Sequence, residues 1–285
     1  MKLEKWQALG NDYLIVERGE LPFALTAARV VRLCDPHFGV GADGVLLLSP
    51  SEHAGAVADL RIFNPDGSEA ELSGNGAREA IMYLRARGWT DQDSFTIHTA
   101  AGPIRPTITG PDTCTVAMGA ASLSSRDFPQ GAADGRGVVR SDGREWAFRH
   151  VSIGNPQCAI RVADEAALQQ LDLPAVGPAI AADSQFPNRT NVSWYAPHGE
   201  GVIRARIFER GVGETLSSGT GATGAAIAHL LEGDGPPAGV TVLLDGGELL
   251  VEVGEGLRVD LTGWARPVFC GRLSDDLVKE LHETE

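Results

Sequence analysis

Residues 62–80 read IFNPDGSEAELSGNGAREA and residues 207–225 read IFERGVGETLSSGTGATGA, and the two strings align without a gap. Ile62, Phe63, Glu69, Ser73, Gly74, Gly76, Ala77 and Ala80 recur as Ile207, Phe208, Glu214, Ser218, Gly219, Gly221, Ala222 and Ala225, each 145 positions on. A second echo lies upstream of each string, where Gly10 and Asn11 in ALGNDYLIV parallel Gly154 and Asn155 in SIGNPQCAIRV at an offset of 144. A solenoid needs at least three short units, so one long-period duplication predicts two similar domains facing each other. The boundary falls between the copies, with residues 1–118 as one half and 119–265 as the other, and residues 266–285 packing back on the first. Residues 119–144 are rich in Gly, Ser and Asp with weak apolar periodicity, which suits an inter-domain connection.

Residues 58–63 and 204–208 alternate as strands, and residues 243–251 read as a hairpin with a glycine turn. Mostly antiparallel sheets follow. After each Ser-Gly-x-Gly the composition turns to helix formers, over residues 77–84 and 222–231, closed by Gly88 and Gly233. Each serine therefore sits at a strand-to-helix turn.

Such a turn is a chemical site. The first amides of a helix have no intrahelical acceptor and carry the positive end of the macrodipole, so they bind carboxylates. Glycines let a ligand approach that backbone closely. Two such turns related by duplication suggest a cleft in which two helix N-termini address one anionic group, with a serine on either side. That is the requirement of a two-base epimerase: one group removes the Cα proton, another returns a proton to the opposite face, and backbone donors stabilise the carbanion. Residues 39–44, GVGADG, fit GxGxxG but lead into the strand-like Val45-Leu-Leu-Leu48 rather than a helix, which argues against a dinucleotide fold.

The 285 residues exceed the usual size of a single core, in keeping with two domains. A formal net charge of −14 repels phosphate backbones and anionic lipid, which argues against nucleic acid and membranes as partners and leaves small cationic or zwitterionic ligands. The opening MKLEKWQALGNDYLIV has neither a basic leader nor an uninterrupted apolar run, so a cytoplasmic location is expected. Cys34, Cys114, Cys158 and Cys270 are scattered without CxxC or Cys/His ligand spacing. Neither a metal site nor a disulfide framework is indicated, and buried reduced thiols are expected.

The segments ALGNDY, CDPHFGVGADG, RIFNPDGSEAELSGNGAR, VSIGNPQC, FPNRTNVSW and ERGVGETLSSGTGA together resemble the diaminopimelate epimerase family in order and spacing over nearly the whole chain. The resemblance implies an α+β fold of two pseudo-symmetric domains, each a mostly antiparallel sheet wrapped around a central helix. It implies no cofactor, a homodimer, and conversion of L,L-diaminopimelate to meso-diaminopimelate for lysine and peptidoglycan precursors. By the same resemblance Asn11, Asn64, Asn155, Asn191, Glu209 and Arg210 stand where the family contacts substrate, with Arg210 suited to a carboxylate through its bidentate fork. Gly74, Asn75 and Gly76, with Gly219, Thr220 and Gly221, would form two amide cradles.

Two departures stand out. Ser73 and Ser218 occupy the positions of the family's catalytic cysteines, and Gln157 stands where a histidine is usual. A hydroxyl is a much weaker acid than a thiol of pKa about 8.5, so serine needs activation to act as a Cα base. Three readings stay open at this point. In the first, Ser73 and Ser218 work through neighbours such as Glu209. In the second, the chain is another amino-acid isomerase whose base is a carboxylate, Glu79, Glu209 or Glu214. In the third, it binds a ligand without turnover, or Ser73 and Ser218 are alterations of the natural nucleophiles.

Overall fold

The computed structural model describes residues 1–233 and 239–284. The chain divides into two compact units, Met1–Val116 with Gly263–Glu285, and Ala117–Thr262.

In the first unit the strands run in the order Arg266–Arg272, Lys2–Ala8, Asn11–Glu17, Val45–Pro50, Ala56–Phe63, Thr96–Thr99, Gly102–Ile104. Asn11–Glu17 with Val45–Pro50 and Ala56–Phe63 with Thr96–Thr99 are parallel, and the other neighbours are antiparallel. The central helix, Gly74–Ala86, lies on one face, where the missing Cβ of Gly76 opens towards Leu46. Strand alternation sends Leu14, Val16, Val45, Leu47 and Phe63 to the opposite face. There they meet Val30 and Leu33 of helix Ala27–Cys34 and Leu281 of helix Asp275–Glu283. The C-terminal helix is held by Arg29, whose Nε donates to Leu281 O at 2.7 Å, and by the Arg32–Glu280 ion pair at 2.6 Å.

The second unit repeats this plan. Its strands run Arg136–Ser141, Arg144–Ser152, Pro156–Arg161, Asn191–Gly199, Val202–Glu209, Gly239–Leu244, Gly247–Val253, Arg258–Trp264. The two parallel pairs recur at equivalent places, Pro156–Arg161 with Asn191–Gly199 and Val202–Glu209 with Gly239–Leu244. The central helix Gly219–Leu230 has no apolar stripe, because the residues from Gly221 to Ala228 are all buried and all but Ile227 are small. Small side chains let sheet backbone approach on all sides, as Gly221 does towards Ile207 and Gly224 towards Gln157. The other sheet face is filled by Trp146, Phe148, Trp194 and Phe186 under helix Leu173–Ala181.

The architecture is therefore α+β with mixed, mainly antiparallel sheets. Three local expectations are corrected. Residues 119–144 are not an open connection: Phe128 and Val139 are buried in the second core, and Arg136–Ser141 pairs with Arg144–Ser152. One aromatic anchor and one alternating strand outweigh the Gly- and Ser-rich composition. Gly88 takes φ 72 just past the first central helix, but Gly233 has no left-handed φ, and the second helix closes on Leu231 instead. Three cysteines are buried as expected, whereas Cys270 is exposed on the edge strand Arg266–Arg272. Among the described residues no helix is long and apolar enough to cross a membrane.

Candidate active site

The two helices start at the glycines after the serines, so Ser73 and Ser218 are N-caps. In the first unit Ser73 Oγ accepts from the Gly76 amide at 3.1 Å, and the first intrahelical bond runs from Ala77 N to Ser73 O at 2.8 Å. The amides of residues 74 and 75 lie ahead of that bond, which is where an anion is received. Tyr13 Oη donates to Ser73 Oγ at 3.2 Å. Asn75 Nδ2 donates to Asn11 Oδ1 at 3.2 Å, and Asn11 Nδ2 donates to Asp43 Oδ2 at 2.8 Å. Arg78, fully buried on the same helix, donates to Asn75 Oδ1. Asn11 thus enters a network pinned at one end by a buried guanidinium and at the other by a carboxylate. Asn64 is engaged in its own turn, Nδ2 donating to Ser68 Oγ at 2.9 Å.

The equivalent positions in the second unit carry different chemistry on the same frame. Ser218 Oγ accepts from the Gly221 amide at 3.3 Å. Its hydroxyl donates to the Glu209 carboxylate, and burial pushes that carboxyl above the ordinary carboxylate value against the opposing hydrogen bond. Asn155 Nδ2 donates to Thr220 Oγ1 at 3.3 Å, the counterpart of the Asn11 and Asn75 pair. Gln157 Nε2 donates to Asn155 Oδ1 at 2.7 Å, while Gln157 Oε1 is buried with no partner among the described residues. Asn191 Oδ1 accepts from the Arg210 amide at 3.0 Å, and the Arg210 guanidinium donates Nη1 to Asn188 O at 2.8 Å. Asn191 therefore sets the Arg210 backbone, and the Asn188 carbonyl takes one end of its guanidinium.

Of the three carboxylates considered as bases, only Glu209 touches a serine. Glu214 is bound by Arg206 through Nε at 2.9 Å and Nη2 at 2.6 Å. Glu79 is fully buried on the central helix, where burial holds its carboxyl well above the ordinary value. Burial pushes the thiols of Cys34 and Cys114 up to about 12, and that of Cys158 up as well, so none of these three is poised as a thiolate.

Sequence reasoning missed Tyr13, Asp43 and Arg78. The repeat contained a signal for Tyr13, because it stands 144 positions before Gln157, at the offset that relates Asn11 to Asn155. Gly44, the last glycine of the GxGxxG string, shapes this corner, since a Cβ there would lie 2.3 Å from Phe63 O and 2.5 Å from the Tyr13 ring. Gly44→Ala is expected to destabilise the chain by about 1–3 kcal/mol, the range of core overpacking, and to displace Tyr13 from Ser73. Thermal melts with tyrosine-detected spectra would check this, and an unchanged melt would show that the ring moves freely.

Three examples stand for the solved structures that share this fold. They are a phenazine biosynthesis protein of the PhzF family from Bacillus anthracis (TM-score 0.68, 22% identical, covering 96% of this chain and 99% of that one), a hydroxyproline epimerase from Agrobacterium vitis (TM-score 0.63, 17% identical, 100% and 98%), and a methylitaconate-delta-isomerase (TM-score 0.65, 14% identical, 98% and 96%). At such identities the likeness is one of fold, and it places the chain in the architecture that these proteins have in common. The sequence narrows the class. The profile of the family described as diaminopimelate epimerase matches residues 4–124 and 149–262. A diaminopimelate epimerase of Synechococcus sp. (strain JA-3-3Ab) is 40% identical over 283 residues, covering 96% of this chain and 99% of that protein. One from Desulfitobacterium hafniense is 38% identical, covering 97% and 99%. The chain belongs to the diaminopimelate epimerase family.

Proposed function

We infer that this chain is an isomerase that converts L,L-diaminopimelate to meso-diaminopimelate by removing and returning a proton at one Cα, in the route to lysine and peptidoglycan precursors. The observation that carries the reading is the pair of seryl hydroxyls capping equivalent helices, each beside an amide-lined N-terminus that suits the reacting carboxylate. Inversion needs a base and an acid at opposite faces of one carbon, and the duplication supplies one hydroxyl per half.

The hydrogen bonds give the two serines different parts. A hydroxyl has one proton and two lone pairs. Ser73 Oγ accepts from both Tyr13 and Gly76, so its remaining capacity is to donate, and it suits the proton-returning side. Ser218 accepts from Gly221 and gives its proton to Glu209, so it suits the proton-removing side, with Glu209 drawing the proton away as Ser218 Oγ takes one from Cα. Asn11, Asn64, Asn155, Asn191 and Arg210 hold the non-reacting end, and Arg210 receives the distal carboxylate through Nε and Nη2.

Two measurements test this. Incubation with L,L-diaminopimelate in heavy water, without added cofactor, should place deuterium at one Cα as the meso form accumulates. If neither the chain nor its Ser73→Cys/Ser218→Cys form exchanges that proton, diaminopimelate is not the substrate. Calorimetry should show diaminopimelate binding more tightly than lysine, which lacks the distal carboxylate, by about 1.5–3 kcal/mol, the range for a hydrogen bond to a charged group. Equal affinities would remove Arg210 from the site.

We further place the protein in the cytoplasm, where its four free cysteines suit a reducing compartment. It is expected to form a homodimer. The edge strand Arg266–Arg272 exposes Val268 and Phe269 beside unpaired backbone, a surface that a second copy would cover. Light scattering that gives a monomer mass at working concentration would refute the dimer.

A further inference from the structure

We propose that His53, Asp59 and His98 form a binding site for a divalent transition metal of the zinc type on the outer face of the first sheet. Their ligand atoms all lie within 4.8 Å of one another. Asp59 and His98 are register partners on the parallel strands Ala56–Phe63 and Thr96–Thr99, so their side chains leave the same face. That face is the one opposite the central helix, because Ala58, Leu60 and Ile62 are buried while Asp59 and Arg61 are not. His53 comes from the turn ahead of Ala56–Phe63, and its ring stacks on that of His98 with centroids 3.7 Å apart and planes 17° from parallel.

The support around the triad is that of a ligand set. Ser51 Oγ donates to Asp59 Oδ1 at 2.5 Å and accepts from the His53 amide at 3.1 Å, so one hydroxyl orients the carboxylate and fixes the turn carrying the first imidazole. Outer hydrogen bonds of this kind set the direction and basicity of metal ligands. Two imidazoles and one carboxylate match Zn²⁺, Co²⁺ or Ni²⁺ and not the all-oxygen preference of Mg²⁺ or Ca²⁺. Tetrahedral zinc with bonds near 2.1 Å holds its donors about 3.4 Å apart, so binding draws the set together by side-chain rotation. Three protein ligands leave a fourth position for water. A bound ion would clip the 51–55 turn to two strands. The sequence hides the triad because its members are 6 and 39 positions apart and meet only through parallel pairing.

The test uses the full chain with Co²⁺ or Zn²⁺ as the only added probe, and diaminopimelate turnover is not a readout. Co²⁺ titration should saturate at one equivalent with the intense visible bands of a four-coordinate site, and excess Zn²⁺ should bleach them and raise the Tm. His98→Ala should abolish the bands. Ser51→Ala, which leaves all three ligands in place, should weaken Zn²⁺ binding by about 10- to 100-fold. No saturable Co²⁺ spectrum, or Zn²⁺ affinity unchanged in Asp59→Asn, would overturn the proposal. In the latter case a stacked histidine pair merely collects metal on an anionic surface.

Discussion

Glu209→Gln is expected to slow deuterium incorporation into diaminopimelate by about 10²- to 10⁴-fold, the contribution of one positioned general base. The glutamine keeps the shape and can still accept from Ser218, but it cannot carry away the proton. The pH profile gives an independent signature. Glu209 acts as base only when ionised, and burial raises its pKa above the ordinary carboxylate value. The rate should therefore climb as pH rises through that raised pKa and fall away below it, with the acid limb lying higher than for an exposed glutamate. The limb should vanish in Glu209→Gln. A variant within tenfold of the parent, or one that retains the same limb, would move the base elsewhere.

Ser73→Cys with Ser218→Cys is expected to give the largest gain. A thiol with a reference pKa of about 8.5 ionises far more readily than a hydroxyl, and each pKa unit is worth about 1.4 kcal/mol between protonation states. The frame is already suited to thiolates, because each side-chain oxygen faces a helix N-terminal amide, Gly76 or Gly221. Gln157 limits the gain, since an amide does not titrate where the family usually has histidine. Ser73→Ala with Ser218→Ala should exchange nothing. Measurable exchange in the double alanine form would rule out a role for either hydroxyl in proton transfer.

The fold was legible because the repeat preserves local chemistry as well as spacing. Ser-Gly-x-Gly before helix formers marks a helix start in any context, and the structure begins both central helices at that string. The family segments then extended the reading to the whole α+β architecture. What remained hidden depended on tertiary context. Tyr13 escaped because its counterpart is a glutamine, so residue identity concealed a positional equivalence. Arg78 drew no reading and Glu79 figured only as a possible base, yet both are buried, since a helix enclosed by a sheet has no solvated face. Phe128 was lost among glycines and serines because one aromatic side chain does not alter local periodicity, although it joins a cluster with Phe148 and Phe186.

The uniformly small surface of helix Gly219–Leu230 bears on the order in which this half acquires its structure. Five of its first six residues are glycine or threonine, weak helix formers, and the segment has no stripe on which a partly formed sheet could select it. Such a segment gains its helical state when the enclosing strands close over it, so the Ser218 cap arises late and together with the rest of its unit. The opening of its amides to solvent then tracks global unfolding. In native-state hydrogen exchange, the amides of residues 222–228 should rank among the slowest in the chain, well behind those of the peripheral helix Glu165–Gln169.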